Sequence, residues 1–178
     1  MIVRPVTAAD LATVADIYAH YVLNSVSSFE EIPPTPQVMG ERHAAVTGLG
    51  LPYLCAEIDG AVVGYAYAGP YGTRAAYRYT VEDSVYVAPG FQGRGVGKAL
   101  LSAVIADCEA MGLRQMLAVI GNSENAGSIA LHTSLGFRPA GMGHTVGWKH
   151  DRWVDIVWMQ RDLNDGAGSA PQGAGVLR

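Results

Sequence analysis

A chain of 178 residues, 49% apolar and 16% charged, is long enough for one domain with a sizeable core and lightly charged for a globular protein. The formal charge of −4 argues against a general nucleic-acid surface, and no window approaches the roughly 18–20 apolar residues of a membrane span. The opening MIVRPVTAAD has no secretory apolar stretch, and the two cysteines, Cys55 and Cys108, lack metal-ligand spacing, so both are expected to be reduced core thiols of a cytoplasmic protein.

Ile2–Pro5 reads as a short strand. Thr7 and Asp10 then form a capping-box pattern before a helix reaching about Val22, with Leu11, Val14, Ile17, Tyr18 and Tyr21 on one face. A loop over Leu23–Pro34 holds Ser27, Ser28, Phe29 and Glu30, and Thr35-Pro36 opens a second helix that ends near Thr47-Gly48. Pro52–Ile58 and Ala61–Ala68 are strands joined at Asp59-Gly60, a hairpin signal. Gly69–Tyr79 is a loop and Thr80–Val87 a strand. Lys98–Met111 has helical spacing and is closed by Gly112, and Leu113–Gly121 is a strand. Asn122–Leu135 carries a helix capped near Ser123. Phe137–Trp148 and Arg152–Leu163 are strands around a turn at Lys149-His150-Asp151. Residues 1–163 are read as a single domain, and Asn164–Arg178, without apolar periodicity, as a flexible C-terminal tail. The alternation implies an α/β (α+β) fold, a mixed sheet with helices on both faces.

The stretch from Glu82 to Leu101, EDSVYVAPGFQGRGVGKALL, places a glycine-rich turn between a buried strand and a helix. Its glycines leave backbone N–H groups unshielded at the positive end of the helix dipole, which makes an anion site suited to a phosphate or pyrophosphate. Walker A spacing fails, because position 92 is Gln and position 99 is Ala. A dinucleotide fingerprint fails too, since the spacing is G-x-G-x-G and the next strand ends in Gly121.

Gln92-x-x-Gly95-x-Gly97 resembles the pyrophosphate loop of the GCN5-related N-acetyltransferases. The element order over about residues 2–163 is similar to that family as well. The resemblance is greatest to the branch containing phosphinothricin and methionine sulfone/sulfoximine acetyltransferases. It is carried by Thr80-Val81-Glu82-x-Ser84-Val85-Tyr86-Val87, Ala118-Val119-Ile120-Gly121, His132-x-x-Leu135-Gly136-Phe137 and Gly147-x-Lys149-x-x-x-Trp153-x-Asp155. It implies a mostly antiparallel twisted sheet with a splayed central strand pair, acetyl-CoA as cosubstrate and no metal. Gln92, Gly93, Gly95, Val96 and Gly97 would bind the pyrophosphate, Lys98 would salt-bridge a phosphate, and Arg94 would be solvated or near the cofactor's 3′-phosphate. Val85, Tyr86 and Val87 would line the pantetheine arm, with the N–H groups of Val85 and Val87 pairing to it. Asn125 matches a family position that touches the cofactor.

Acetyl transfer to an amine needs a held thioester, a free lone pair, an oxyanion donor and a proton for the leaving thiolate. The resemblance places the general base at Glu82. Alternation sends Glu82 and Asp83 to opposite faces, and Glu82 is taken as the one facing the cleft. His132 occupies the position where many relatives carry a Tyr that protonates the thiolate, and a structural role is weighed equally. Arg74, Tyr77 and Arg78, with Thr80 and Phe29, are the candidate substrate contacts, since arginine forks suit a carboxylate, phosphinate or sulfone. The expected function is N-acetylation of a small amino-acid-like amine by direct attack in a ternary complex. The alternatives are a protein N-terminal or ribosomal-protein acetyltransferase and a non-catalytic acyl-CoA sensor. A homodimer is expected from the branch, and Trp148, Trp153 and Trp158 are read as core or interface.

Overall fold

The computed structural model describes residues 1–176. In chain order the strands are β1 (Ile2–Pro5), β2 (Tyr53–Ile58), β3 (Ala61–Pro70), β4 (Thr80–Val87), β5 (Gln115–Gly121), β6 (Arg138–Lys149) and β7 (Arg152–Asp162). The helices are α1 (Leu11–Asn24), α2 (Pro36–Thr47), α3 (Val96–Ala110) and α4 (Ala126–Ser134). All strands join one sheet in the order β1-β2-β3-β4-β5-β7-β6. Only the β4–β5 contact is parallel, so the sheet is mixed and mostly antiparallel.

Local chemistry accounts for most element ends. The Asp10 carboxylate accepts the Thr7 N–H at 2.8 Å and also receives Arg4, which ties β1 to the start of α1. Thr35 Oγ1 accepts the Val38 N–H, with Pro36 in the first turn of α2. The cap of α4 is Asn125, not Ser123. Asn125 Oδ1 accepts the Ser128 N–H at 3.2 Å, whereas the Ser123 hydroxyl donates to Asp155 on β7.

Alternation along β2 divides the core. Tyr53 and Cys55 pack against α1 and α2, while Leu54 and Ala56 pack with Leu100, Leu101 and Val104 of α3 on the other face. Cys55 and Cys108 are both buried and unbridged. Residues 164–176 form no helix or strand, as their composition suggests. They nevertheless lie against the domain. The Val176 N–H donates to the Arg78 carbonyl at 2.8 Å, the Tyr79 hydroxyl donates to the Gly173 carbonyl, Arg114 reaches Asp165, Gly166 and Ser169, and Val176 joins the core. The segment expected as a C-terminal tail thus lies along the domain as a strap, held at Val176, Gly173 and the Arg114 contacts. Residues 177 and 178 of that tail lie outside the described residues.

The feature that positions the site is the divergence of β4 from β5. The two pair only from Thr80 to Asp83 against Gln115 to Ala118. Beyond Asp83, β4 continues along β3 while β5 stays with β7 to Gly121. The unpaired edges leave backbone donors and acceptors facing a wedge of space, with α3 and α4 forming its walls.

Candidate active site

A cleft of about 680 Å³ occupies this wedge. Its floor is β4 from Asp83 to Val87 and β5 from Ala118 to Gly121, and its walls are the glycine loop, the first turn of α3 and α4 from Asn125 to His132. Gly93 and Gly95 have φ of +74° and +83°, a left-handed backbone that a side chain would strain, and a Cβ at either would meet nothing within 4 Å. Gly95 is the N-cap of α3 and has no side chain to satisfy the first N–H groups of the helix. The N–H groups of Val96, Gly97 and Lys98 are left without helical acceptors at the cleft wall. The Gln92 side chain folds back and accepts the Gly90 N–H at 2.9 Å, which closes the turn.

Every residue expected to hold the cofactor lines this cleft except Arg94. The Arg94 guanidinium instead lies over the Phe91 ring, 4.9 Å from its centroid, on the exposed side of the loop. Asn125 is at the opposite wall, and its Nδ2 donates to Ser27 Oγ at 3.4 Å. Tyr21, which the sequence showed only as part of a helical face, also enters the cleft. Its hydroxyl donates to the Val87 carbonyl at 2.6 Å and accepts the Val87 N–H at 3.4 Å.

Of the adjacent carboxylates, Asp83 lines the cleft and Glu82 does not, contrary to the expectation that Glu82 would face it. Glu82 shares its side of β4 with Ser84 and Tyr86, and Tyr86 packs edge-on against Tyr18 and Tyr21 of α1. There it is half-buried, and its carboxylate makes no hydrogen bond or ion pair among the described residues. Burial, and then the charge of Asp83, raise its pKa above the ordinary carboxylate value.

His132 is buried in α4 and bonded at both ring nitrogens: Nδ1 lies 2.7 Å from the Ser128 carbonyl and Nε2 lies 3.0 Å from Asp83 Oδ2. Burial works against its charged form, yet the hydrogen bond and charge of Asp83 and the Ser128 carbonyl prevail, and its pKa is raised. The signal for this pair was available in Val81-x-Asp83-x-Val85, because a carboxylate on an apolar strand face requires a buried partner.

The candidate substrate residues are more scattered. Arg74, Tyr77 and Arg78 lie exposed on the loop before β4, with the Arg78 guanidinium over the Tyr79 ring and Tyr77 edge-on to Tyr71. Thr80 begins β4 opposite Gln115. Phe29 sits against the backbone at the end of β5 and on the β6–β7 hairpin, where a Cβ on Gly147 would come within 2.2 Å of its ring and one on Gly121 within 3.3 Å. The same loop is fastened by Lys149, buried in the hairpin, whose Nζ donates to the Ser28 carbonyl at 2.7 Å. Among the described residues no group of three or more His, Cys, Asp or Glu is arranged to hold a metal ion, and no helix is long and apolar enough to cross a membrane.

Comparison with known proteins agrees with this geometry. Residues 16–137 match the model of the acetyltransferase (GNAT) family. The chain is 49% identical over 170 residues to a phosphinothricin N-acetyltransferase of Alcaligenes faecalis, covering 96% of this chain and 86% of that enzyme. It is 39% identical to the L-methionine sulfoximine/L-methionine sulfone acetyltransferase of Salmonella typhimurium, covering 94% and 97%. The crystal structure of a phosphinothricin acetyltransferase from Sinorhizobium meliloti in complex with AcCoA superimposes with a TM-score of 0.94 at 46% identity, covering 98% of this chain and 94% of that one. With the glycine loop, the splayed strands and these matches in agreement, the chain belongs to the GNAT family of acetyltransferases.

Proposed function

We propose that this N-acetyltransferase moves an acetyl group from acetyl-CoA to the amino group of a small amino-acid-like substrate of the phosphinothricin or methionine sulfoximine type. The reading rests above all on one arrangement. The cleft opens where β4 parts from β5, with a glycine-lined helix N-terminus at one end, and a half-buried carboxylate without a partner, Glu82, faces the opposite side of β4. The first feature suits a pyrophosphate and an extended arm, and the second suits an ammonium that must lose a proton before attack. The residues fit the donor in detail, since a cradle without side chains at Gly93 and Gly95 leaves room for phosphate oxygens. An arm pairing with the Val87 N–H would share it with, or displace, the Tyr21 hydroxyl.

In this reading the acceptor enters from the α1–α2 side. Glu82 takes the ammonium proton, its raised pKa making it a better base than an ordinary carboxylate. The freed amine attacks the thioester carbonyl directly, and His132 supplies the proton that the departing thiolate needs. Arg74, Tyr77 and Arg78 hold the acceptor's anionic group, and Phe29 covers it. The enzyme acts in the cytoplasm as a homodimer. The dimer is supported by the edge hairpin, where Trp148 and Trp153 are 54% and 61% exposed and pack edge-on beside exposed Met142 and Val146.

Direct transfer is tested by initial rates with both substrates varied, with the N-acetyl product identified by mass. Intersecting double-reciprocal lines are expected. Parallel lines, the mark of an acetyl-enzyme, would contradict direct attack.

A further inference from the structure

Asp83 is a carboxylate in an apolar row. It lies between Val81 and Val85 on the face of β4 that meets α3 and α4, and it is only 6% exposed. Its Oδ2 meets His132 Nε2 at 3.0 Å, and its Oδ1 is buried with no hydrogen-bond partner among the described residues. The other ring nitrogen, Nδ1, faces the Ser128 carbonyl at 2.7 Å. A carbonyl oxygen only accepts, and so does an ionised carboxylate. Two acceptors on the two nitrogens are both satisfied only when His132 carries both protons. The ring is held further by Phe137, edge-on at 5.0 Å.

Resting on the acetyl-transfer reading, we propose that Asp83 is a positioning residue of the reaction, holding His132 as a doubly protonated imidazolium in the cleft wall and so keeping a proton ready for the departing thiolate. The Ser128 carbonyl fixes the Nδ1 proton, and the Nε2 proton, held by Asp83 Oδ2 at the cleft floor, is the one passed on when the Asp83–His132 bond opens toward the sulfur. As the C–S bond breaks, its electron pair stays on sulfur and the His132 proton completes the thiol. The amine lone pair forms the new C–N bond. Nitrogen sheds two protons between ammonium and amide: one leaves through Glu82 to solvent, and the other restores His132.

Asp83 and the Ser128 carbonyl favour this state, while burial and the cationic Lys98 in the cleft wall work against it. Besides Asp83, α3 presents Cys108, whose thiol burial pushes up to about 12 and so keeps neutral, and Lys98, which lines the cleft. Ser128 lies on α4 itself, and Glu82 is on the far face of β4. Asp83 is thus the carboxylate that faces the imidazolium.

Nitrogen-15 NMR of the full chain with labelled histidine, His132 being assigned from the His132→Gln spectrum, tests the proposal without turnover. In the wild-type protein at neutral pH both ring nitrogens of His132 are expected to be protonated. In Asp83→Asn the Nε2 proton is expected to be lost, with kcat falling on the order of 100-fold and the acetyl-CoA Kd unchanged. Asp83→Glu should restore part of both the charge and the rate. A neutral His132 in the wild-type protein would overturn the proposal, as would an Asp83→Asn enzyme with neutral His132 and undiminished kcat. Absence of transfer to any amine by the wild-type chain would instead fail the acetyl-transfer reading, a separate result because the spectrum needs no turnover.

Discussion

Glu82 and Asp83 are neighbours in β4 with opposite surroundings: Asp83 is paired to His132 in the wall of the cleft, while Glu82 stands unpaired on the α1 side. One strand therefore presents one carboxylate to each side of the sheet at the point where β4 and β5 part. An amine arriving from one side and a thioester lying on the other would meet there.

If Glu82 is the base, Glu82→Gln lowers kcat by roughly 100-fold or more while the acetyl-CoA Kd stays near wild type. Activity requires the ionised form, and burial has raised the pKa. The acid limb of the wild-type kcat profile should therefore lie above the ordinary carboxylate value of about 4.3 and vanish in Glu82→Gln. Equal losses in kcat and cofactor affinity, read by calorimetry, would mark Glu82 as structural.

Gly95 carries a φ of +83° at the mouth of α3. Gly95→Val meets no protein atom but forces a β-branched side chain into a left-handed conformation, at a cost of roughly 1–3 kcal/mol, and crowds the expected phosphate. A weakening of acetyl-CoA binding by about tenfold or more is expected, with a lowered Tm. Unchanged affinity would remove the loop from the cofactor site.

Gly147→Ala probes the proposed contact of Phe29 with the acceptor. Its new Cβ would fall 2.2 Å from the Phe29 ring, which is 42% exposed and must shift to make room. The fold should survive, the amine KM should rise several-fold, and the acetyl-CoA Kd should hold. A KM for the amine equal to wild type would place Phe29 outside the acceptor site.

Stability should depend on pH through His132. Its folded-state pKa is raised, so its contribution is fully present below the unfolded value of about 6.5 and is lost as pH rises through the folded value. Urea midpoints of wild type and Asp83→Asn should differ most at mildly acidic pH and converge as pH rises through that range. A gap that widens with rising pH would give the coupling the opposite sign.

What the sequence made legible was local chemistry. The hairpin at Asp59-Gly60, the cap at Thr35-Pro36 and the loop from Gln92 to Gly97 are each written within a few residues, and each lies where its pattern placed it. The Asp83–His132 pair joins residues 49 apart, and it depends on how α4 lies against β4. Lys149 and Ser28 are 121 residues apart and meet only because Gly121 and Gly147 let the loop close on the strand ends. Ser123 and Asn125 are both plausible caps by residue type, and Asp155, on a distant strand, decides between them by engaging the serine. The strap after β7 was hidden by its composition, since one buried valine and the reach of Arg114 hold a segment that has no periodicity.

The most direct measurement is thiol release from acetyl-CoA by the purified full chain against a panel of amines. The panel holds phosphinothricin, methionine sulfone and sulfoximine, the common amino acids, an aminoglycoside and an N-terminal peptide. Fast release with phosphinothricin or the two methionine derivatives, saturating in the amine and accompanied by the N-acetyl product, is the expected result. Release with the peptide alone, or acetyl-CoA binding that no amine converts into thiol, would contradict the proposed function.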